Sequence, residues 1–142
     1  RLNMRLQGER LRHFAATDVI EVDQAQVRAV AEDGRVTLAQ ARRAVANGDG
    51  SEVQLIGDAR VDSSGPRGEP IQFRGEFLHA FLNTERVRSH LPVVVTSNGS
   101  EFRAAGMDYD HLTGQLQLQG KMRALLQPSV GVRKPAAAAG TR

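Results

Sequence analysis

Residues 91–126 read LPVVVTSNGSEFRAAGMDYDHLTGQLQLQGKMRALL, and the last part of that run alternates between apolar and polar side chains. Leu116, Leu118 and Met122 fall on one parity, while Gln115, Gln117, Gln119, Lys121 and Arg123 fall on the other. This is the signature of a strand with one buried face, and no helical period accounts for it. Upstream, Val93, Val94 and Val95 form a β-branched run. Ser97-Asn98-Gly99-Ser100 and residues 110–114 supply the residue types that make turns. The spacing predicts three consecutive strands joined as a meander.

The same unit occurs earlier. Residues 44–61 (AVANGDGSEVQLIGDARV) parallel residues 107–124, with Val53-x-Leu55-x-Gly57 in step with Leu116-x-Leu118-x-Gly120. A weaker copy falls at 74–97. Units of this kind bury their apolar face only against a neighbour, so the repeat predicts an elongated β module spanning 1–127. In chain order, 2–6 and 10–16 read as short strands parted by Gln7-Gly8-Glu9, and 18–26 as a weak strand. Residues 27–31 and 35–38 form a hairpin across Glu32-Asp33-Gly34, because Asp-Gly favours a tight turn. Residues 39–46 are helical by propensity alone, but the repeat assigns them to a strand. Residues 52–61 follow, with Val53, Leu55, Ala59 and Val61 on one face and Gly57 where the backbone bends or another chain approaches. Residues 62–70 (DSSGPRGEP) are expected to be a mobile loop. Residues 71–82 are apolar on both parities, with Phe73, Phe77 and Phe81 on one and Leu78, Ala80 and Leu82 on the other. That pattern suits a strand covered on both sides, or an aromatic strip that meets a partner. Beyond Ser129 the alternation stops, and a disordered tail is expected over 128–142.

Composition narrows the class. With no Trp, one Tyr and five Phe in 142 residues, the core must rest on Val, Leu, Ile, Ala and Met. The formal charge of +3 arises from 19 basic residues spread among 16 acidic ones. No basic cluster interleaved with aromatic rings is present, which argues against nucleic acid as a partner. Zero cysteines exclude a disulfide framework and thiol chemistry. No apolar run approaches the roughly 18 residues of a membrane span. The chain opens at Arg1 and is already alternating at Leu2-x-Met4-x-Leu6, as expected of a piece of a longer product.

Candidate chemistry is sparse. His13, His79, His90 and His111 lack metal-ligand spacing. Asp108 and Asp110 flank Tyr109 on one strand face, a superficial likeness to a carboxylate pair that no nucleophile or phosphate-binding glycine loop accompanies. Ser63, Ser64, Ser97 and Ser100 sit in turn-like surroundings. The expectation is a protein that is not an enzyme and carries neither metal nor cofactor.

One resemblance adds a function. Leu78-x-Ala80-x-Leu82, Val87-x-Ser89, Pro92-Val93, Gly99, Ala105-Gly106-Met107 and Gly120-Lys121-Met122-Arg123 occur in the order found in the LptC family of lipopolysaccharide export proteins. Ala41-x-x-Ala44 and Leu55-x-Gly57-x-Ala59 resemble the preceding part of that domain, and the likeness spans residues 4–127. Arg42 departs from it, since an acidic residue is expected between the two alanines. The resemblance implies a jelly-roll-like sandwich of antiparallel strands, open along one side, in the periplasm. It further implies anchoring to the inner membrane by a helix that this chain does not contain. The partners so implied are lipopolysaccharide, an inner-membrane ABC transporter and the periplasmic bridge protein LptA. The alternatives are the bridge protein itself, or a structural or carbohydrate-binding β module.

In such a fold the inward parity of Val53, Leu55, Leu78, Ala80, Leu82, Val93, Val95, Leu116, Leu118 and Met122 is expected to line an apolar groove for acyl chains. Gln117, Gln119, Lys121 and Arg123 point the other way, on a last strand that forms an open edge for a partner unless residues 2–6 or the tail cover it.

Overall fold

The computed structural model describes residues 3–127, which form ten strands and no helix. They are β1 (Asn3–Gln7), β2 (Arg10–Phe14), β3 (Val19–Val30), β4 (Val36–Asn47), β5 (Glu52–Ser64), β6 (Pro70–Phe81), β7 (Arg86–Ser89), β8 (Val93–Ser97), β9 (Ser100–Asp110) and β10 (Gln115–Leu125). All belong to one sheet in the order β1-β3-β4-β5-β6-β7-β9-β10, with β2 beside β1 on β3 and β8 beside β7 between β6 and β9. Every pairing is antiparallel. The predicted all-β, jelly-roll-like class is observed, as are the hairpin at 32–34 and the strand at 39–46.

Several boundaries differ from expectation. Residues 18–26 and 27–31 are not separate elements but one strand, β3, which carries a left-handed residue at Gln24 (φ 51°) without breaking its ladder to β4. The loop expected at 62–70 shrinks to a turn at 65–69, because Asp62, Ser63 and Ser64 pair with Gln72, Ile71 and Pro70. Its Gly65 N–H donates to Glu69 O at 2.7 Å, which closes the turn. At 74–97 no clean third copy of the repeat forms, since the rung beside β6 is split into β7 and β8. Buried Ser89 holds the break, its hydroxyl reaching Phe77 O (2.7 Å) and Leu91 O (3.0 Å) and lying 3.1 Å from the Leu91 N–H. The tail expected over 128–142 lies outside the described residues.

The glycines shared by the two repeats explain a change of face that plain alternation hides. Gly57 (φ 84°) and Gly120 (φ 77°) both take the left-handed conformation, and the register slips at each of them. Only glycine enters that region without strain, and the extra residue at Gly57 lets β5 keep Val53, Leu55, Ala59 and Val61 on one buried parity while the strands beside it change theirs. Along the same transverse line the buried parity switches from Val22 to Ala25 in β3, from Ala41 to Ala44 in β4, from Phe73 to Leu78 in β6 and from Ala104 to Met107 in β9. Phe73 and Leu78 therefore share the inner face, and Phe77 lies outside against His79 and His90. Arg42, the departure from the family pattern, is exposed over Gly57 and pairs with Glu76 at 3.3 Å.

The sheet rolls over on itself. In a flat sheet the β3–β4 turn and the β6–β7 turn would lie at opposite ends of the strands, separated along the 12 residues of β6 by about 40 Å. Instead Arg35, in the first turn, donates from Nη2 to Glu85 Oε1 in the second. The β5–β6 and β9–β10 turns meet in the same way, with Pro66 against Gly114. One continuous core results, built around Phe73, Leu55, Leu78, Met107, Val22 and Val95.

Candidate functional site

Rolling leaves a cavity of about 80 Å³ on the inner face. Val27, Ala29 and Ala39 form one wall, Val53, Leu55, Val61, Phe73, Ala80, Leu82 and Val87 the others. The space exists because alanines stand where larger side chains would meet across the roll. Phe73 and Tyr109 pack with ring centroids 5.2 Å apart, although the β7/β8 rung separates their strands.

One end of the cavity is polar. Arg35, Glu85, Arg86, His111 and the Tyr109 hydroxyl gather there, together with Thr37 and Ser63, whose hydroxyls lie 2.8 Å apart. Arg35 is bound to Glu85, and His111 Nε2 stands 4.0 Å from the same carboxylate. Arg86 reaches outward to Asp108 (3.0 Å) and Asp110 (3.8 Å) across the β7–β9 pairing. Three buried side-chain atoms among the described residues find no partner, namely Arg35 Nε, Arg35 Nη1 and the Tyr109 hydroxyl oxygen. A buried donor without an acceptor costs on the order of 1–3 kcal/mol, so this end is strained in a way the packed core is not. Burial pushes the Tyr109 phenol above its ordinary pKa, Glu69 and Asp110 add to that, and Arg35 opposes it.

The ten residues expected to line one groove fall into four groups. Val53, Leu55, Ala80 and Leu82 line the cavity. Leu78, Val93 and Val95 are sealed in the core, while Leu116 and Leu118 are half-buried against it. Met122 is 57% exposed rather than enclosed, because β10 is the end of the sheet and no described strand packs over its second half. Val27, Ala29, Ala39, Val61, Phe73, Val87, Arg35 and Tyr109 were not among the expected lining residues. Val27 and Ala29 alternate with Gln26 and Arg28, a signal open to reading, whereas Arg35 enters only through the roll.

Gln117, Gln119, Lys121 and Arg123 are exposed on β10, which among the described residues pairs with β9 alone. Of the residues 2–6 expected as a possible cover, 3–6 do not reach that edge, since β1 pairs with β3 at the far end of the order, and Leu2 lies outside the described residues. Exposed apolar side chains mark both ends: Met122, Leu125 and Leu126 at one, Leu11 and Phe14 at the other. The four histidines stand apart. His13 contacts Asp18 at 2.9 Å, His79 contacts Glu52 at 3.1 Å, and His90 packs on Phe77. Among the described residues no helix is long and apolar enough to cross a membrane.

Residues 1–127 match the family described as "Lipopolysaccharide-assembly, LptC-related". Among solved structures, the chain is similar to the crystal structure of LptH, the LptA-homologous periplasmic component of the lipopolysaccharide transport device of Pseudomonas aeruginosa. The TM-score is 0.74 at 15% identity, over 89% of this chain and 96% of that one. At that identity the likeness carries the fold alone. No curated protein sequence matches the chain.

Proposed function

Because the chain belongs to the LptC-related lipopolysaccharide-assembly family and so serves lipopolysaccharide transport, we propose that it takes acyl chains of lipopolysaccharide into the inner-face cavity and relays the lipid from an inner-membrane ABC transporter to a periplasmic bridge protein. The observation that carries this reading is the apolar cavity on the inner face of the rolled sheet. Its volume of about 80 Å³ is roughly half that of a cavity known to hold one benzene ring, so a long acyl chain enters only as the cavity widens. The energetics need no catalytic group. Each buried methylene is worth about 0.8 kcal/mol, but a bilayer offers nearly the same, so transfer from membrane to groove is close to neutral. Direction then has to come from an energy source outside this chain, and anchoring to the inner membrane belongs to the same proposal.

The test of the groove is Leu82→Asp, which places a charge on the cavity rim at a half-buried position. The variant is expected to stay folded and to capture lipopolysaccharide at least tenfold more weakly than the parent chain; a folded variant that binds normally rejects the cavity.

The edge of β10, which pairs with β9 alone among the described residues, supports the second half of the relay. Unpaired backbone groups invite a strand from a partner of similar fold, and head-to-tail pairing would join the two apolar interiors. Photo-crosslinkers at Gln117, Gln119 and Arg123 are expected to capture the bridge protein, and one at Arg5 on β1 to capture it poorly. Capture mainly through Arg5 would reverse the polarity. A second reading, that the chain is itself the bridge, draws on the likeness to LptH; the family match over 1–127 favours the first.

A further inference from the structure

Building on the lipid reading above, we propose that the polar end of the cavity is a site for the acyl linkage of a lipid, where Arg35 and Tyr109 donate hydrogen bonds to the carbonyl oxygen of a fatty-acyl amide or ester whose chain lies along the apolar walls. All three buried, unpartnered side-chain atoms found among the described residues belong to these two residues, and both residues line this one cavity. Tyr109 is only 5% exposed. A guanidinium nitrogen can only donate, and a phenol donates readily, so the missing group is an acceptor.

Charge decides which acceptor. Arg35 is already neutralised by Glu85, and Arg86 by Asp108 and Asp110. The Tyr109 hydroxyl also feels the carboxylates of Glu69 and Asp110. An anionic headgroup would sit among these acids, whereas a neutral carbonyl oxygen meets the donors without that repulsion. The same cavity is walled by Val27, Ala29, Ala39, Val53 and Val61, which offer nothing but van der Waals contact. A neutral acceptor and a run of methylenes on one molecule describe an acyl amide or ester. Water in the same place would satisfy the donors but would not discriminate between lipids.

The full chain reports on this directly, because Tyr109 is its one tyrosine and it has no tryptophan, so intrinsic emission comes from the site. Three probes of equal chain length are titrated below their micellar concentrations: N-decanoyl-N-methylglucamine, which carries an amide carbonyl, decyl glucoside, which does not, and decanoate, which is anionic. The amide is expected to bind about tenfold more tightly than the glucoside, and more tightly than decanoate. In Tyr109→Phe, followed by calorimetry, the preference for the amide should shrink to near parity while the thermal transition persists. Should that variant not fold, Arg35→Lys keeps the pairing with Glu85 while removing the free guanidinium donors, and is expected to show the same loss. Equal binding of amide and glucoside, a preference for decanoate, or an undiminished preference in the folded variants overturns the assignment. If no probe binds but lipopolysaccharide does, the linkage site falls and the groove stands; if lipopolysaccharide also fails, both fall.

Discussion

The inner face has two regions of opposite character built from the same strands. Around Ala44, Leu78 and Val95 the roll is sealed, each of these residues being fully buried, and every side chain is met by another. A few residues along β4 and β6, Ala39 and Ala80 stand beside empty space that ends in Arg35, Glu85 and Tyr109. Hydrophobicity does not separate the two regions, since both are walled by Ala, Val, Leu and Phe. They differ in whether the opposing layer fills the gap and in whether the polar atoms at the end have partners. A core is stabilised by completeness, and a binding site has to leave something unfilled.

That difference is sharpest at two alanines on one strand. Ala44→Leu adds three carbons where no room exists and is expected to destabilise the fold by about 1–3 kcal/mol, read as a lower midpoint in urea unfolding with an unchanged slope. Ala39→Leu adds the same atoms at the cavity wall, where they have space. It is expected to leave stability unchanged or slightly raised while cutting lipopolysaccharide capture. If the two variants lose stability equally, the cavity closes in solution and the comparison fails.

Much of the fold was legible in the sequence because β structure writes a local pattern. Leu116, Leu118 and the glutamines that alternate with them announce β10, and Asp33-Gly34 announces the hairpin that joins β3 to β4. The parity switch at the transverse line was not legible. It lies along a line marked by left-handed backbone at Gln24, Gly57 and Gly120, where β3, β4, β6 and β9 change their buried parity while β5 keeps its own through a one-residue register shift. This is why Phe73 and Phe77, four residues apart on one parity, end on opposite faces. The polar end was hidden for a further reason. Arg35 and Tyr109 belong to elements far apart in the sheet order, and only the roll brings the β3–β4 turn to the β6–β7 turn. No local pattern encodes that closure. The strand itself was legible at β10 from its alternation, and among the described residues it pairs with β9 alone.

The smallest expected effect separates the satisfied polar groups of the cavity from the unsatisfied ones. Thr37 and Ser63 share a hydrogen bond of 2.8 Å at the rim, in contrast to the partnerless donors of Arg35 and Tyr109. Thr37→Val keeps the shape of the side chain but strands the Ser63 hydroxyl, which should cost about 1 kcal/mol. Adding Ser63→Ala removes the stranded group as well, so the double variant is expected to be more stable than Thr37→Val alone, and close to the parent chain. Urea unfolding of the two single variants and the double variant measures the coupling. Because neither hydroxyl is among the buried side-chain atoms that lack a partner, the preference for an acyl amide over a glucoside should survive in the double variant, although it disappears in Tyr109→Phe. Loss of that preference in the double variant would mean that the polar end works as one connected network, and that the line drawn here between its paired and unpaired members is false.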